Sequence, residues 1–215
     1  GSQSASVTLV SVNIQVDVLY VGSDVFDGRD RASSLYFGPT GAAAGTSVDT
    51  ATGRGNLIVR NTGTSYAAGS GVAAGTDAAT LDTVIGQTGT HRLYIEDTSG
   101  TGASGTVRLN DGVKIDFTSA DTNLQVQGPH GETVVLDMSN ITAGFSGYVD
   151  ITANGEMSID DGTTFEAITF SDNQLMLHPD TNEATYVNSI GIRQAGTDYV
   201  EYTGTADAFQ TLQDL

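Results

Sequence analysis

The sequence predicts a mainly β protein of antiparallel, sandwich or barrel-like kind, divided into two subdomains, and three observations carry that expectation. Short runs of alternating apolar and polar residues recur at roughly ten-residue spacing. Glycine, aspartate and asparagine turns separate them, and helical periodicity is confined to one short internal stretch and the last residues.

The elements follow in order. Residues 7–21 alternate with a period of two: Val10, Val12, Ile14, Val16, Val18 and Tyr20 share one side, and Ser11, Asn13, Gln15 and Asp17 the other. That pattern predicts one long half-buried strand, because a pleated backbone sends successive side chains to opposite faces. Asp27-Gly28 and Gly38-Pro39 bracket a short strand at Ser34–Phe37. Residues 38–56 are small and polar and read as a loop or a crossing between subdomains, Leu57–Arg60 as a strand, and 61–76 again as small and polar. Thr76 or Asp77 stands where a cap would start a short helix over 77–85, and His91–Glu96 reads as a strand.

Two hairpins come next. Val107 and Leu109 face Val113, Ile115 and Phe117 across Asn110-Asp111-Gly112, while Leu124 and Val126 face Val134, Leu136 and Met138 across Gly128-Pro129-His130-Gly131. Further strands are expected at Tyr148–Thr152, Glu156–Ile159, Phe165–Phe170, Gln174–His178, Ile190–Gln194 and Tyr199–Tyr202. The turns between them are Ala153-Asn154-Gly155, Asp160-Asp161-Gly162, Ser171-Asp172-Asn173 and Ala195-Gly196-Thr197-Asp198. Ala206, Phe209, Leu212 and Leu215 then recur at helical spacing behind Thr205, so 206–215 reads as the start of a helix that a longer parent chain would continue. The expected organisation is 1–45 plus 143–205 as one β subdomain, 46–142 as a second inserted into it, and 206–215 as the helix start.

Composition narrows function. Eight basic against 26 acidic residues give a net charge of -18, and Lys114 with Arg29, Arg31, Arg54, Arg60, Arg92, Arg108 and Arg193 are scattered along the chain. Binding nucleic acid or an anionic membrane needs clustered cations to displace counterions, so neither partner is expected. The absence of cysteine excludes disulfides, thiolate metal sites and thiol nucleophiles. No stretch is long and apolar enough to span a bilayer, and no basic segment followed by an apolar one marks a cleavable signal.

The search for chemistry is equally sparse. His91, His130 and His178 stand apart, without the close spacing of metal ligands. Gly69-Ser70-Gly71-Val72-Ala73-Ala74-Gly75 matches the outline of a dinucleotide fingerprint, but the strand before it and the helix after it are missing. Asp160-Asp161-Gly162 and Asp172-Asn173 offer oxygen ligands of the kind calcium takes, and both also suit turns for conformational reasons. Asn140-Ile141-Thr142 is an Asn-x-Thr sequon; Tyr186, Tyr199 and Tyr202 are expected in sheet packing rather than as a sugar platform. No catalytic, cofactor-binding or metal-binding residue is therefore expected, and no enzyme activity.

The ending Ile190-Gly191-Ile192-Arg193-Gln194-Ala195-Gly196-Thr197-Asp198-Tyr199-Val200-Glu201-Tyr202, followed by Asp207-Ala208-Phe209-Gln210-Thr211-Leu212, resembles the outer-domain end of hook-associated members of the flagellin superfamily. His91-Arg92-Leu93-Tyr94-Ile95-Glu96-Asp97-Thr98-Ser99-Gly100 is similar to that superfamily's surface inserts, and Ser11-Val12-Asn13-Ile14-Gln15 is similar to its entry strand. The resemblance implies outer β domains carried on rod helices that this chain lacks, and a structural, extracellular role at the hook–filament junction. Hook-associated proteins and flagellin would be its partners. The main alternative is an extracellular adhesin or carbohydrate-binding β module.

Overall fold

The computed structural model describes residues 33–203 and, before them, the backbone of two short strands, β1 (Val7–Ser11) and β2 (Ile14–Asp17). The protein is mainly β, with 51% of it in strands and almost no helix. The remaining strands in chain order are β3 (Leu35–Phe37), β4 (Ala43–Ala44), β5 (Thr52–Tyr66), β6 (Ala73–Ala74), β7 (Gly86–Asp97), β8 (Ser104–Leu109) and β9 (Ile115–Thr118). They continue with β10 (Leu124–Gln127), β11 (Thr133–Asp137), β12 (Ser146–Ser158), β13 (Glu166–Ala167), β14 (Gln174–Leu177), β15 (Ala184–Asn188) and β16 (Gly196–Thr203). One helical turn, α1 (Ala78–Leu81), interrupts them.

The largest sheet is antiparallel in the order β3-β16-β5-β12-β7-β8-β9, with β13 added on β12, and it curls into a half-barrel. Alternation decides its faces. Leu57 and Val59, Leu93 and Ile95, Val107 and Leu109, Val149 and Ile151, and Val200 are buried, while their neighbours along each strand are more exposed. Two small sheets, β10-β11-β6 and β14-β15-β4, cover the inner face. The first encloses a core that includes Phe117, Val126, Val134, Leu136 and Ile151; the second encloses one that includes Leu57, Met157, Met176, Val187 and Val200. Burying each such side chain contributes about 1.5–3 kcal/mol. Val84 belongs to the first core and the next residue, Ile85, to the second, so the two cores abut. The first core draws on both sides of the sequence boundary at 142/143, and the second, with Tyr36 and Ala42 packed against it, on both sides of 45/46 and 142/143. Ala51, Leu57, Val59 and Ile85 lie in the second core, and Val149, Ile151 and Ala153 in the first.

Several expectations are corrected. Residues 7–21 do not form one strand, because β1 and β2 pair antiparallel with Ser11 opposite Ile14. Alternation alone does not distinguish a pair of strands from one long strand. Residues 38–56 and 61–76 are only partly loop: β5 runs through Thr52–Tyr66, and β4 and β6 add two-residue strands. Tyr148–Thr152 and Glu156–Ile159 are not separate strands either. Ala153-Asn154-Gly155 continues β12, which is hydrogen-bonded to β5 and β7 on its two sides. The irregularity sits across the ladder in β5, where Asn154 pairs with Gly63 and Gly155 with Asn61, leaving Thr62 as a bulge. That extra residue switches parity, so Leu57 and Val59 before it and Tyr66 after it all reach the inner face.

Near the end of the chain, Ile190–Gln194 is a turn with one isolated bridge, Val84 to Gln194, and the neighbouring strand is β15 instead. The expected turn at 195–198 is mostly strand, because β16 begins at Gly196 and pairs with β5 from there. Phe165–Phe170 contributes only the short β13, and Phe170 takes a positive φ of 51°. The predicted helix over 206–215 lies outside the described residues.

The helix expected over 77–85 is one turn long. Beyond Leu81 the backbone extends, and the N–H of Ile85 donates to Arg193 O at 2.8 Å. Asp82 is buried there, with Oδ1 accepting from Val135 N–H at 2.7 Å and Oδ2 without a hydrogen bond. Burial pushes its carboxyl up, against the Thr64 hydroxyl and the Val135 N–H, which pull the other way. A raised folded-state value means that ionisation penalises folding above the ordinary value of 3.8 and not below it. Asp82→Asn keeps the acceptor for Val135 and removes the charge, so it is expected to stabilise the protein by about 1 kcal/mol at pH 7. The gain should vanish near pH 3, and paired urea titrations of the two proteins at both pH values check it.

Candidate functional site

Five parts of the chain line a cleft of about 710 Å³, a volume within the range of small-ligand pockets. Its floor is a chain of buried polar groups. His91, 3% exposed, is placed by alternation on β7, with Nε2 at 3.0 Å from Ile85 O and 2.9 Å from Arg193 O. Nε2 faces two carbonyl oxygens and therefore carries the hydrogen, so Nδ1 is the acceptor, 3.0 Å from Asn110 Nδ2. The other hydrogen of that amide goes to Glu132 Oε1 at 2.7 Å, and Asn110 Oδ1 accepts from Arg92 N–H at 3.1 Å. Glu132 Oε2 accepts from His130 N–H at 2.9 Å. Asn110 reaches this geometry through a positive φ of 52° at the β8–β9 turn. Thr40, fully buried beside them, donates its N–H and hydroxyl to Asp198 at 3.1 and 2.5 Å.

That floor has no spare valence. Both nitrogens of His91 are engaged, and no serine or threonine hydroxyl contacts the ring among the described residues. Its chemistry is to stitch β7 to the segments at 85, 110 and 193. The rim differs: Thr90, Asp111, His130 and Arg193 are exposed, and their side chains make no hydrogen bond or ion pair among the described residues. Such a rim offers donors and acceptors to a polar ligand.

The structure brings His91 and His130 to this one cleft and leaves His178 elsewhere, edge-on to Tyr202 with ring centroids 5.1 Å apart. Burial lowers the His178 value, opposed by the charges of Glu183, Asp160 and Asp49. Among the described residues no group of three or more His, Asp or Glu side chains is arranged to hold a metal ion. The glycine-rich stretch 69–75 lies against the 139–142 segment, Thr142 donating its N–H to Ser70 O and its hydroxyl to Gly69 O, both at 2.8 Å. Asn140 of the sequon is exposed there. Tyr186, Tyr199 and Tyr202 form no common platform: Tyr202 is inward and buried, Tyr199 is outward and packs on Phe37, and Tyr186 lies on β15.

Asp160 and Asn173 spend their side-chain oxygens internally, whereas Asp172 is exposed. Asp160 accepts from Ser158 Oγ at 2.6 Å and from the Thr164 N–H at 2.9 and 3.0 Å, while Asn173 ties its turn to Ser47 at 2.8 and 2.7 Å. Asp97 does more, accepting from Ser99 Oγ at 2.7 Å and from the N–H groups of Ser99, Gly100, Gly102 and Gly144. These bonds, the Ser99 hydroxyl first for Asp97 and the Ser158 hydroxyl first for Asp160, hold both carboxyls down at about 2. Depressed folded values mean that the stabilisation is whole above the ordinary 3.8 and is lost as pH falls through about 2. Hydrogen exchange at Gly102 and Gly144, corrected for intrinsic rates, is expected to show these loops opening between about pH 4 and pH 2. Unchanged protection at pH 2 would contradict the role given to Asp97.

No protein-family model, curated protein or solved structure matches this chain. No helix among the described residues is long and apolar enough to cross a membrane. The site therefore rests on its own geometry. Sequence reasoning singled out His91 and read Asn110 only as a turn residue; it missed Glu132. A glutamate opening the apolar run Thr133–Leu136 was the available signal for a buried, partnered carboxylate.

Proposed function

We propose that this chain is the surface-exposed middle region of a flagellin-superfamily protein of the hook-associated protein 3 kind, a non-catalytic, extracellular structural component of the bacterial flagellum at the hook–filament junction. One observation carries the reading beyond resemblance. A β body borne on a helical stalk must leave and return at one place, so its first and last strands need to be neighbours. The last described strand, β16, pairs with β3, the first strand after the β1–β2 pair: Leu35 lies opposite Glu201, and Ser34 Oγ accepts from Thr203 N–H at 3.4 Å. Hook-associated proteins and flagellin are then the partners, reached through helices beyond this chain, and neither nucleic acid nor membrane is among them. Deleting the gene in its source bacterium is expected to leave hooks without filaments and flagellin shed into the medium. Normal filaments on the deletion strain would refute the assignment.

The cleft favours a second reading, a carbohydrate-binding or adhesin module, because its unengaged rim of Thr90, Asp111, His130 and Arg193 suits hydroxylated ligands. A glycan array with and without calcium separates the two: binding that Arg193→Ala abolishes supports the module.

A further inference from the structure

The sheet gathers what the sequence scatters. Arg54, Arg60, Arg92, Arg108 and Lys114 are five of the six cations among the described residues, and register carries all five to the outer face. Four of them meet carboxylates across strands there: Arg54 with Glu201, Arg60 with Glu156, Arg92 with Asp150 and Lys114 with Glu96. In a chain of net charge -18, this face is locally balanced.

At its centre one rung runs Tyr148–Tyr94–Arg108 across β12, β7 and β8. The tyrosine rings meet edge-on at 5.0 Å, and the Arg108 guanidinium lies 5.3 Å from the Tyr94 ring. Tyr148 is 61% exposed, and among the described residues Arg108 has no carboxylate partner and a buried Nε without an acceptor. Exposed tyrosine beside an under-used arginine is the composition of an interface centre.

We infer that this face binds a second copy of the same chain through an isologous contact centred on Tyr148, Tyr94 and Arg108. Charge selects the occupant. Two molecules that are each strongly acidic repel over most of their surfaces and approach closely only where cations and carboxylates balance. A two-fold arrangement lets each copy's Tyr148 pack on the other's rung and gives each Arg108 a carboxylate of the opposite copy. This inference does not rest on the flagellar reading and would hold for a secreted module equally.

Sedimentation equilibrium of the whole chain tests it. A reversible dimer is expected, growing with concentration and with salt up to roughly 0.5 M as the net repulsion is screened. Tyr148→Ala and Arg108→Ala should each raise the dissociation constant at least tenfold, while Leu175→Ser, at an exposed site on a small sheet, leaves it unchanged. Arg108→Ala removes little apolar packing and stays readable if Tyr148→Ala weakens the fold. A monomer at every concentration and salt overturns the inference, and so does a dimer indifferent to both substitutions.

Discussion

His91→Ala is expected to lower the free energy of unfolding by about 3–4 kcal/mol, a large share of the stability of an ordinary domain. The substitution removes one ring and unpairs two groups: Ile85 O loses its donor and one Asn110 Nδ2 hydrogen loses its acceptor, while Arg193 O keeps the Ile85 N–H. Each buried group left without a partner costs about 1–3 kcal/mol, and the emptied volume adds a cavity. The effect should spread, because Ile85 packs in the second core while His91 flanks Leu93 of the first. His91→Gln, which restores a donor near the carbonyls, should recover part of the loss. Urea denaturation of the three proteins measures both effects. A loss below about 1 kcal/mol for the alanine variant would mean that water replaces the ring, and the stitching role would fail.

Much of the β character was legible because it is local. Val107, Leu109, Ile115 and Phe117 alternate around Asn110-Asp111-Gly112, and the structure pairs Val107 with Ile115 across that turn. Leu124 and Val126 likewise meet Leu136 and Val134. Val113, read into the first hairpin, is instead 77% exposed in a wider turn. The failures share a cause. Thr52–Arg54 and Thr62–Tyr66 carry few large apolar residues, yet they are strand, because β16 pairs with the first half of β5 and β12 with the second. Ala153-Asn154-Gly155 has turn composition but is held in the strand by its pairing with β5, with Gly155 beneath Ile85 and Ile168. Conversely, Ile190 and Ile192 alternate like a strand, and one is 60% exposed while the other is buried at a turn. The floor of the cleft was hidden for a similar reason. His91, Asn110 and Glu132 are far apart in sequence, and only the register of β7 and β8 with the β10–β11 turn makes them one network. The charge balance of the outer face is likewise a product of register, invisible to a count of arginines.

The glycine-rich stretch supplies the second large effect and separates a packing role from a ligand-binding one. Gly69 and Gly71 both have positive φ, 113° and 82°, where side chains are disfavoured. Their surroundings differ. A Cβ on Gly71 would stand 1.9 Å from Asn140 O, a main-chain atom held in place as the 139–142 segment docks on Ser70. A Cβ on Gly69 would meet nothing within 4 Å. Gly71→Ala is therefore expected to cost about 3 kcal/mol or more, through backbone displacement added to strain, and Gly69→Ala only about 1 kcal/mol from strain alone. If the stretch cradled a phosphate instead, both alanines would disturb the ligand and neither need destabilise the free protein so unequally. Thermal unfolding of the two variants, with no nucleotide present, decides the matter. Equal small losses would remove the packing explanation, whereas a wide gap ties these glycines to the 139–142 segment that closes the first core through Ile141.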